Sequence, residues 1–467
     1  MSARPLLIAV LLCAASVGRA QEGGARLLFV GDILTERGTP EPDAGSSWLK
    51  EARASQLVVG NLEGALGEAS SCVRPTPQSP CFAMPEQTAG LLARAGFTAL
   101  GLENNHVGDL GPEAPERTAR KVSEQGVFPL RYESSPTFLR VGELTVGLVA
   151  LSRVSKGTGP VRAVPSVELA QKLRLARQLS NLVVVYVHWG EELFDWPHPE
   201  QRQAARWLVA QGADLIVGHH PHVVQPPDCV EGRPVFFSVG NFRFRDKYPA
   251  GREGLAADCR VQGSTLRCGG LKTSFPFGSG WPEVAASPEM AERLKGCGVP
   301  LHAPVELAGL KFQARSALSE RPLAEVEVVR EGRVTAKVGS GALVALETGR
   351  MDAAEEPRLF TVERRFSPLD GEEGLRPYVY EARGSQLVAR WRGSGLSWPL
   401  LDARLLPGEA GVLCALHRMD SFVAPRPDTP GSRVAAYRWS GFGFRGDDSE
   451  ELTRRCEARL AMSGPER

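Results

Sequence analysis

The sequence predicts an α/β fold for most of the chain, and two observations support this prediction. From residue 26 to about 240, short apolar runs rich in Val, Leu and Ile alternate with amphipathic stretches. Strands that alternate with helices are typical of α/β folds with buried sheets. Most of these runs also end in Gly, Asn, Asp, Glu or His, and such sheets bind ligands beyond the carboxyl ends of their strands. A functional site is therefore expected at those ends.

The alternation of apolar runs and amphipathic stretches predicts individual strands and helices. The apolar runs predicted to be strands are, in chain order, RLLFVGD, QLVVGNLE, FTALGLENNH, LTVGLVALS, LVVVYVHWG, ADLIVGHH and PVFFSVGNF. The segments predicted to be helices are 84–95, 112–126, 166–180 and 199–211. Pro85, Pro112 and Pro199 stand near three of the helix starts, where proline is tolerated because the first turn does not use its missing N–H.

The pattern changes after residue 250. REGLAADCRVQGSTLRCGGLK resembles a hairpin that turns near Gly263 and Ser264 and adds strands to the first domain. Residues 275–305 are rich in Gly and Pro and are predicted to be irregular. Later segments such as EVEVVREGRVTAKV alternate polar and apolar residues, which indicates short antiparallel strands. We therefore expect a first domain at 26–305 and a smaller β-rich region at 306–467.

The N-terminus is predicted to be a secretory signal peptide, residues 1–20. Arg4 precedes the apolar segment PLLIAVLLCAASV, and Gly18 and Ala20 supply small residues at the cleavage positions. The apolar segment is too short to span a bilayer comfortably, and no other stretch reaches the roughly 18 apolar residues that a spanning helix needs. The sequence thus predicts a periplasmic or secreted protein with no transmembrane span after signal removal.

Cysteine usage agrees with export, because eight cysteines remain once the signal is removed. The hairpin would place Cys259 opposite Cys268, and the Pro-rich CVRPTPQSPC segment would close a loop between Cys72 and Cys81. The pairing of the others stays open: Cys229, Cys297, Cys414 and Cys456.

The formal net charge is +1, so no electrostatic case exists for nucleic acid as a partner.

A group of histidines stands out in GADLIVGHHPHVVQ, which holds three of the eight histidines of the chain within four positions. A pair of close divalent cations needs carboxylate oxygens and imidazoles from several strand ends. The candidate residues at these ends are Asp32, Asn61, Glu63, Asn105, His106, His188, His220 and His222. His220 and His222 are two apart, and in an extended loop both would face one site.

Each candidate also has an ordinary structural interpretation. Asp32 after a glycine is typical of a turn or a helix N-cap, as Asn61 is typical of a turn. Glu63 at a strand end is typical of a solvated side chain, and His188 beside Trp189 fits a hydrogen-bonded core histidine. The histidine cluster is the hardest to explain in this way, and its first member, His219, is the one expected to be structural.

The ordered motifs GD, GNLE, NNH, HWGEE, GHHPHVVQ and SVGNF resemble those of the CapA-type family of capsule poly-γ-glutamate synthesis proteins. That family is related to the calcineurin-like metallophosphoesterases, and the resemblance covers roughly residues 26 to 270. It implies a four-layer α/β/β/α metallophosphoesterase-like sandwich with its metal site at the strand ends.

The resemblance also implies roles for individual residues. Asp32 resembles the first metal carboxylate, Glu63 the characteristic carboxylate of the family, and His188 a further ligand. Asn105 and His106 resemble a metal-binding amide and an acid/base imidazole, and His220 with His222 resembles the final pair of ligands. Leu34 stands where the phosphoesterases have a histidine, and Asn61 where they have a bridging aspartate. One divalent metal (Zn, Mn or Fe), or an altered pair using Glu63, is therefore expected.

Two functional hypotheses follow. The first is an exported metal-dependent hydrolase with a phosphoesterase-like site, in which the metal activates water, neutralises charge on a phosphoryl or acyl oxygen, and His106 protonates the leaving group. Its substrate would be a phosphorylated or polymeric envelope component. The alternative is a non-catalytic accessory protein that binds or guides an anionic envelope polymer such as poly-γ-glutamate, which the losses at positions 34 and 61 favour.

Overall fold

A computed structural model of the 467-residue chain describes most of the chain from residue 24 onward. The described residues are 24–73, 80–155, 161–275, 280–321, 323–338, 342–353, 356–366, 372–393, 396, 399–418 and 431–461. The predicted signal peptide, residues 1–20, lies outside this described part.

The first region is a mixed α/β structure. Its strands are β1 Arg26–Ile33, β2 Leu57–Leu62, β3 Ala65–Leu66, β4 Ala83–Met84, β5 Ala99–Gly101, β6 Phe128–Leu130, β7 Thr137–Val141, β8 Leu144–Ser152, β9 Leu182–His188, β10 Leu215–His219, β11 Val224–Gln225, β12 Asp228–Val230, β13 Arg233–Phe236, β14 Ser238–Val239, β15 Asn241–Arg243, β16 Glu253–Gln262, β17 Thr265–Ser274, β18 Glu283–Ser287 and β19 Val299–Pro300. Its helices are α1 Ser47–Arg53, α2 Thr88–Arg94, α3 Ala114–Ser123, α4 Val167–Leu179, α5 Pro199–Ala210 and α6 Pro288–Arg293.

Two sheets organise this region. The first has the strand order β18-β17-β16-β1-β2-β5-β6, with β15 beside β1 and β19 beside β17. The second has the order β12-β13-β10-β9-β8-β7. The inner strands are parallel, β1 to β2 and β5 in one sheet and β8 to β9 and β10 in the other. Their carboxyl ends therefore lie at one edge of each sheet.

The two sheets share one apolar core and carry helices on their other faces. Phe29 of the first sheet and Tyr186 of the second belong to the shared core, with ring centroids 6.4 Å apart. On the other side of the first sheet, Trp48 of α1 packs in the cluster that holds Val30. On the other side of the second sheet, Leu173 of α4 packs in the cluster that holds Val185 and Leu208 of α5. The packing of the two buried sheets therefore fixes the positions of the polar residues at their strand ends.

The second region is antiparallel and divides into consecutive four-stranded sheets. Its strands are β20 Glu306–Leu307, β21 Leu310–Ser316, β22 Ala324–Arg330, β23 Arg333–Val338, β24 Ala342–Gly349, β25 Arg358–Phe366, β26 Glu373–Arg383, β27 Gln386–Trp391, β28 Leu400–Leu405, β29 Val412–Arg418, β30 Ser432–Trp439 and β31 Phe444–Asp447. The helix α7, Glu450–Ala461, follows them.

The second region packs directly on the first. Leu175 and Leu179 of α4 share an apolar cluster with Phe312 and Leu346 of the antiparallel sheets. Beside it, Arg174 Nη2 lies 2.7 Å from Oδ2 of the buried Asp402. One helix therefore contributes to the cores of both regions.

The structure differs from the sequence prediction in the segment 275–305, which was expected to be irregular. Within its described part, this segment contains β18, α6 and β19, and β18 and β19 extend the first sheet beside β17. The helices α1 and α7 were not predicted either. Helix α1 has only seven residues, which is too short for a clear helical periodicity in the sequence. Its N-cap Ser46 accepts a hydrogen bond from the N–H of Leu49, and this cap stabilises the helix.

Four disulfides cross-link the described residues. They are Cys72–Cys81, Cys229–Cys297, Cys259–Cys268 and Cys414–Cys456, so they include the two pairs argued from the sequence. Cys259 and Cys268 are directly opposed in the β16–β17 hairpin. Among the described residues, no helix is both long and apolar enough to cross a bilayer.

Candidate metal centre

All the predicted site residues lie at the carboxyl ends of the parallel strands, and all are buried. The first sheet contributes Asp32 on β1, Asn61 on β2 and Glu63 just after β2. The loop after β5 adds Asn105 and His106. The second sheet contributes four more histidines: His188 at the end of β9, His219 at the end of β10, and His220 and His222 in the following turn.

A chain of amides fixes the first carboxylate. Asn61 Nδ2 donates a hydrogen bond of 2.8 Å to Oδ1 of Asp32. Asn104 Nδ2 in turn donates to Oδ1 of Asn61 at 3.3 Å and to the carbonyl of Leu62 at 2.9 Å. The backbone N–H of His220 donates to the second oxygen of Asp32 at 3.2 Å. Asp32 is therefore held by donors from both sheets.

His188 lies where the two sheets meet. Its Nε2 is 2.7 Å from Oδ1 of Asn105 and 3.8 Å from Oε1 of Glu63. Its Nδ1 is 2.8 Å from Nδ1 of His219, so one of these two rings donates and the other accepts. His219 thus orients a candidate ligand, in the way that outer hydrogen bonds orient histidines at metal sites.

His222 lies between the two buried carboxylates. Its Nδ1 is 3.3 Å from Oδ2 of Asp32 and its Nε2 is 3.6 Å from Oε1 of Glu63. Oδ1 of Asn241 lies 2.8 Å from the same Nδ1. Oxygen atoms therefore surround this ring, a setting that favours positive charge.

The histidines of the site have pKa values shifted in opposite directions. Burial and the neighbouring imidazoles hold the pKa of His188 well below its ordinary value, and burial lowers the pKa of His219 to about 4. Burial also acts to lower the pKa of His222, but Glu63 and Asp32 outweigh it and raise that pKa to about 10. Burial acts to raise the pKa of Asp32, yet the hydrogen bond and charge of His222 bring it below its ordinary value.

The turn after β10 differs from the extended loop expected from the sequence. His220 and His222 have φ angles of 104° and 60°, in the left-handed region that non-glycine residues rarely adopt. Their ring centroids lie 6.0 Å apart. The structure brings both histidines to one site through this strained turn, and such strain at non-glycine residues is typical of functional sites.

The donor set fits a divalent cation. Four groups of three side chains each hold ligand atoms within 4.8 Å of one another: Asp32 with His188 and His219; Glu63 with His188 and His220; Asp32 with Glu63 and His222; and Glu192 with His220 and His222. In addition, Nε2 of His219 is buried and has no hydrogen-bond partner among the described residues. Two carboxylates and several imidazoles are the ligand types that Zn, Mn and Fe accept.

Comparison with known proteins relates part of the chain to capsule synthesis proteins. Residues 26–246 match the family described as "Bacterial capsule synthesis protein PGA_cap". The chain is 30% identical over 237 residues to "PGA biosynthesis protein CapA" of Bacillus subtilis, covering 46% of this chain and 62% of that protein. It is 31% identical over 274 residues to "Capsule biosynthesis protein CapA" of Bacillus anthracis, covering 51% of this chain and 66% of that protein.

Residues 26–246 of this chain belong to the PGA_cap family. A third relative, "Uncharacterized protein y4sH" of Sinorhizobium fredii, is 29% identical over 231 residues, which is 47% of this chain and 46% of that protein. The chain therefore spans less than two thirds of the length of each of these relatives.

The PGA_cap region contains site residues that sequence reasoning did not assign. Asn241 Oδ1 accepts a hydrogen bond from Nδ1 of His222, and Asp109 Oδ2 lies 2.7 Å from Nδ1 of His106. Glu192 reaches His220 and His222 from an exposed position in the loop after β9. Asn241 stands in SVGNF and Glu192 in HWGEE, so the motifs marked both segments without identifying which side chains face the site.

Proposed function

We propose that this protein is an exported, metal-dependent hydrolase with a phosphoesterase-like site, acting on a phosphorylated or polymeric component of the cell envelope. The names of its relatives support capsule or poly-γ-glutamate synthesis as the process in which this protein takes part. The observation that carries the proposal is His222 between two buried carboxylates, with ligand atoms of His188 and His220 within 4.8 Å of Glu63. A protein seldom buries so many ionisable groups together unless a cation compensates them.

The proposed architecture has two parts. Residues 26–305 form a four-layer α/β/β/α sandwich of the metallophosphoesterase type, and residues 306–467 form a β-rich region. The apolar core shared by the two sheets, with helices against both outer faces, supports the first part. The four disulfides support a periplasmic or secreted location, because disulfides persist in oxidising compartments. Cleavage of residues 1–20 as a signal peptide belongs to the same proposal.

The proposed ligands are Asp32, Asn61, Glu63, Asn105, His188, His220 and His222. A divalent metal bound there supplies Lewis acidity, which acidifies water and neutralises charge on a phosphoryl or acyl oxygen. Asn61 and the N–H of His220 orient Asp32, while Asn105 and His219 orient His188. His106 transfers the proton that the leaving group requires.

The test begins with metal content. Untagged protein secreted into the periplasm and dialysed without chelator is analysed by plasma mass spectrometry, and one or two equivalents of Zn, Mn or Fe are expected. Bis-p-nitrophenyl phosphate and γ-glutamyl p-nitroanilide are then assayed before and after chelation. A protein that contains no metal and takes up none on titration would refute the proposed hydrolase.

A second candidate function rests on Leu34 and Asn61, which replace a histidine and an aspartate expected by resemblance to the phosphoesterases. In this alternative the protein binds or guides an anionic envelope polymer without cleaving it. Binding of poly-γ-glutamate, measured by calorimetry, should then persist unchanged after chelation. Binding that disappears with the metal would contradict the alternative.

A further inference from the structure

The 191–196 loop follows β9 and lies beside the candidate metal centre. All six of its residues are exposed, and they include Leu193, Phe194 and Trp196, with exposed fractions of 48%, 46% and 60%. No other four-residue stretch among the described residues exposes three large apolar side chains. Single exposed apolar residues are ordinary at a protein surface, whereas a group of them indicates an interaction site.

A hydrogen bond joins this loop to the turn that carries the histidines. The N–H of Leu193 donates to the carbonyl of Pro221 at 2.8 Å, and Pro221 lies between His220 and His222 in the chain. Leu193 has a φ of 64°, in the left-handed region that leucine rarely adopts. Strain of this kind persists where the surrounding contacts impose it, and it is typical of functional sites. A fixed loop conformation therefore presents the apolar side chains to solvent.

The two aromatic residues of the loop are held in place by neighbouring side chains. Nε2 of the buried Gln225 donates to the carbonyl of Phe194 at 2.9 Å and to that of Trp196 at 3.3 Å. The guanidinium of Arg202 lies over the ring of Trp196, 5.7 Å from its centroid, and pairs with Asp228. Arg202 thus supports one face of Trp196, and the exposed remainder of the ring can contact a ligand.

The loop also carries three exposed carboxylates, at positions 191, 192 and 195. Asp195 separates the two aromatic residues in the chain, and a carboxylate oxygen of Glu192 lies within 4.8 Å of ligand atoms of His220 and His222. Carboxylate oxygens accept hydrogen bonds from hydroxyl groups, and their charge repels other anions. The loop therefore offers aromatic faces and hydrogen-bond acceptors together, and it disfavours a polyanion or an anionic phospholipid surface.

We propose that the 191–196 loop binds the sugar rings of an uncharged glycan segment of the substrate. The C–H face of a sugar ring packs on an aromatic ring, while its hydroxyl groups donate to carboxylates. Ligand sites commonly combine aromatic surface with a few polar groups in this way. The inference rests on the proposed function and names its substrate class: a glycan-containing envelope component, with the scissile bond at the metal centre and a neighbouring sugar on Phe194 and Trp196.

Binding is measured on the full-length protein by saturation-transfer NMR and calorimetry, with chitotetraose and cellotetraose as uncharged probes. Saturation transfer should be strongest at the ring C–H protons of the bound sugar. Trp196→Ala and Phe194→Ala should each raise the Kd by about tenfold, because each removes a stacking surface. Trp196→Phe keeps an aromatic face and should retain most of the affinity. Phe442→Ala is the matched control, since Phe442 is an aromatic residue that is 80% exposed between β30 and β31, and it should leave the Kd unchanged.

Three results would overturn the inference. The first is an absence of saturation transfer to both tetrasaccharides at millimolar concentration. The second is equal binding by the wild type and by Trp196→Ala/Phe194→Ala. The third is binding of poly-γ-glutamate or of phosphatidylglycerol vesicles that the double variant abolishes, because the partner of the loop would then be an anionic polymer or a lipid surface.

These measurements separate the inference from the proposed function. Tetrasaccharide binding needs neither metal nor turnover, so it should persist after chelation. Absence of metal and of hydrolysis in the wild type would refute the hydrolase, whereas a metal-containing hydrolase that binds neither tetrasaccharide would refute only the glycan site.

Discussion

Asn61 donates a hydrogen bond of 2.8 Å to Asp32, and both side chains are completely buried. An aspartate at position 61 would put a second carboxylate against the first, in a site where His222 is the group that compensates Asp32 and Glu63 when no metal is bound. The amide keeps the hydrogen bond without adding negative charge. This residue therefore limits how much positive charge the site requires.

Replacing Asn61 by Asp tests this limit. Without metal, Asn61→Asp should lower the melting temperature, because two adjacent buried carboxylates repel each other. With excess Mn or Zn, the variant should bind more metal equivalents than the wild type and recover its melting temperature. Calorimetry and plasma mass spectrometry measure the two effects. An apo variant as stable as the wild type would show that position 61 does not control the charge of the site.

His222→Ala should remove the group that compensates the two carboxylates. Breaking a buried ionic arrangement by removing one partner typically costs about 3–5 kcal/mol, so the free energy of unfolding should fall by that order. Metal content should fall with it. His198→Ala is the control, because His198 lies in a partly exposed loop and pairs with the exposed Glu191. Equal metal loss in both variants would contradict the assignment of His222.

Asp402→Asn should destabilise the contact between α4 and the antiparallel sheets. Asp402 is buried, and the variant removes the carboxylate charge that lies 2.7 Å from the Arg174 guanidinium, whose side chain is 18% exposed. The expected loss is about 2–4 kcal/mol in the free energy of unfolding, measured by urea denaturation. Glu41→Gln breaks the exposed pair with Arg94 and should cost under about 1 kcal/mol. Similar losses in the two variants would contradict this argument.

His417 should make stability depend on pH. Burial, followed by the charge of Arg433, lowers its pKa to about 4 in the folded protein, below the ordinary value of 6.5. The unfolded chain therefore binds the proton more readily, and stability is lost as the pH falls through 6.5 towards 4. Between pH 8 and pH 5 this loss is about 2 kcal/mol. His417→Gln, which retains a partner for Tyr437, should lose about that much less stability over this range. A variant with the same pH dependence as the wild type would refute the prediction.

The strand ends of the candidate site were predictable because they rest on local patterns. Asp32, Asn61 and His188 each end or nearly end an apolar run, and parallel strands bring such ends to one edge. The predicted helices agree with the observed ones to within a few residues at their ends, as for α4 and α5. The pairs Cys72–Cys81 and Cys259–Cys268 are close in sequence, so loop and hairpin geometry indicated them.

Other features depend on contacts distant in sequence. The pairing of Cys229 with Cys297 spans 68 residues, and no local pattern indicates it. The roles of Asn241 and His219 depend on which side chains meet across the two sheets. The left-handed backbone at His220 occurs at a residue type that rarely adopts it, and the N–H of His220 donates to Asp32, 188 residues away. The hydrophobic periodicity of the sequence does not indicate any of these long-range contacts.

Helix α4 has a further consequence for how the molecule unfolds. One face of this helix fills the core beneath β8 and β9, while Leu175, Leu179 and Arg174 pack into the antiparallel sheets. Loss of either half would expose apolar surface of the other, so their stabilities are thermodynamically linked. The described residues of both halves should melt in one cooperative transition, and a fragment comprising residues 26–305 would tend to aggregate through the uncovered surface of α4.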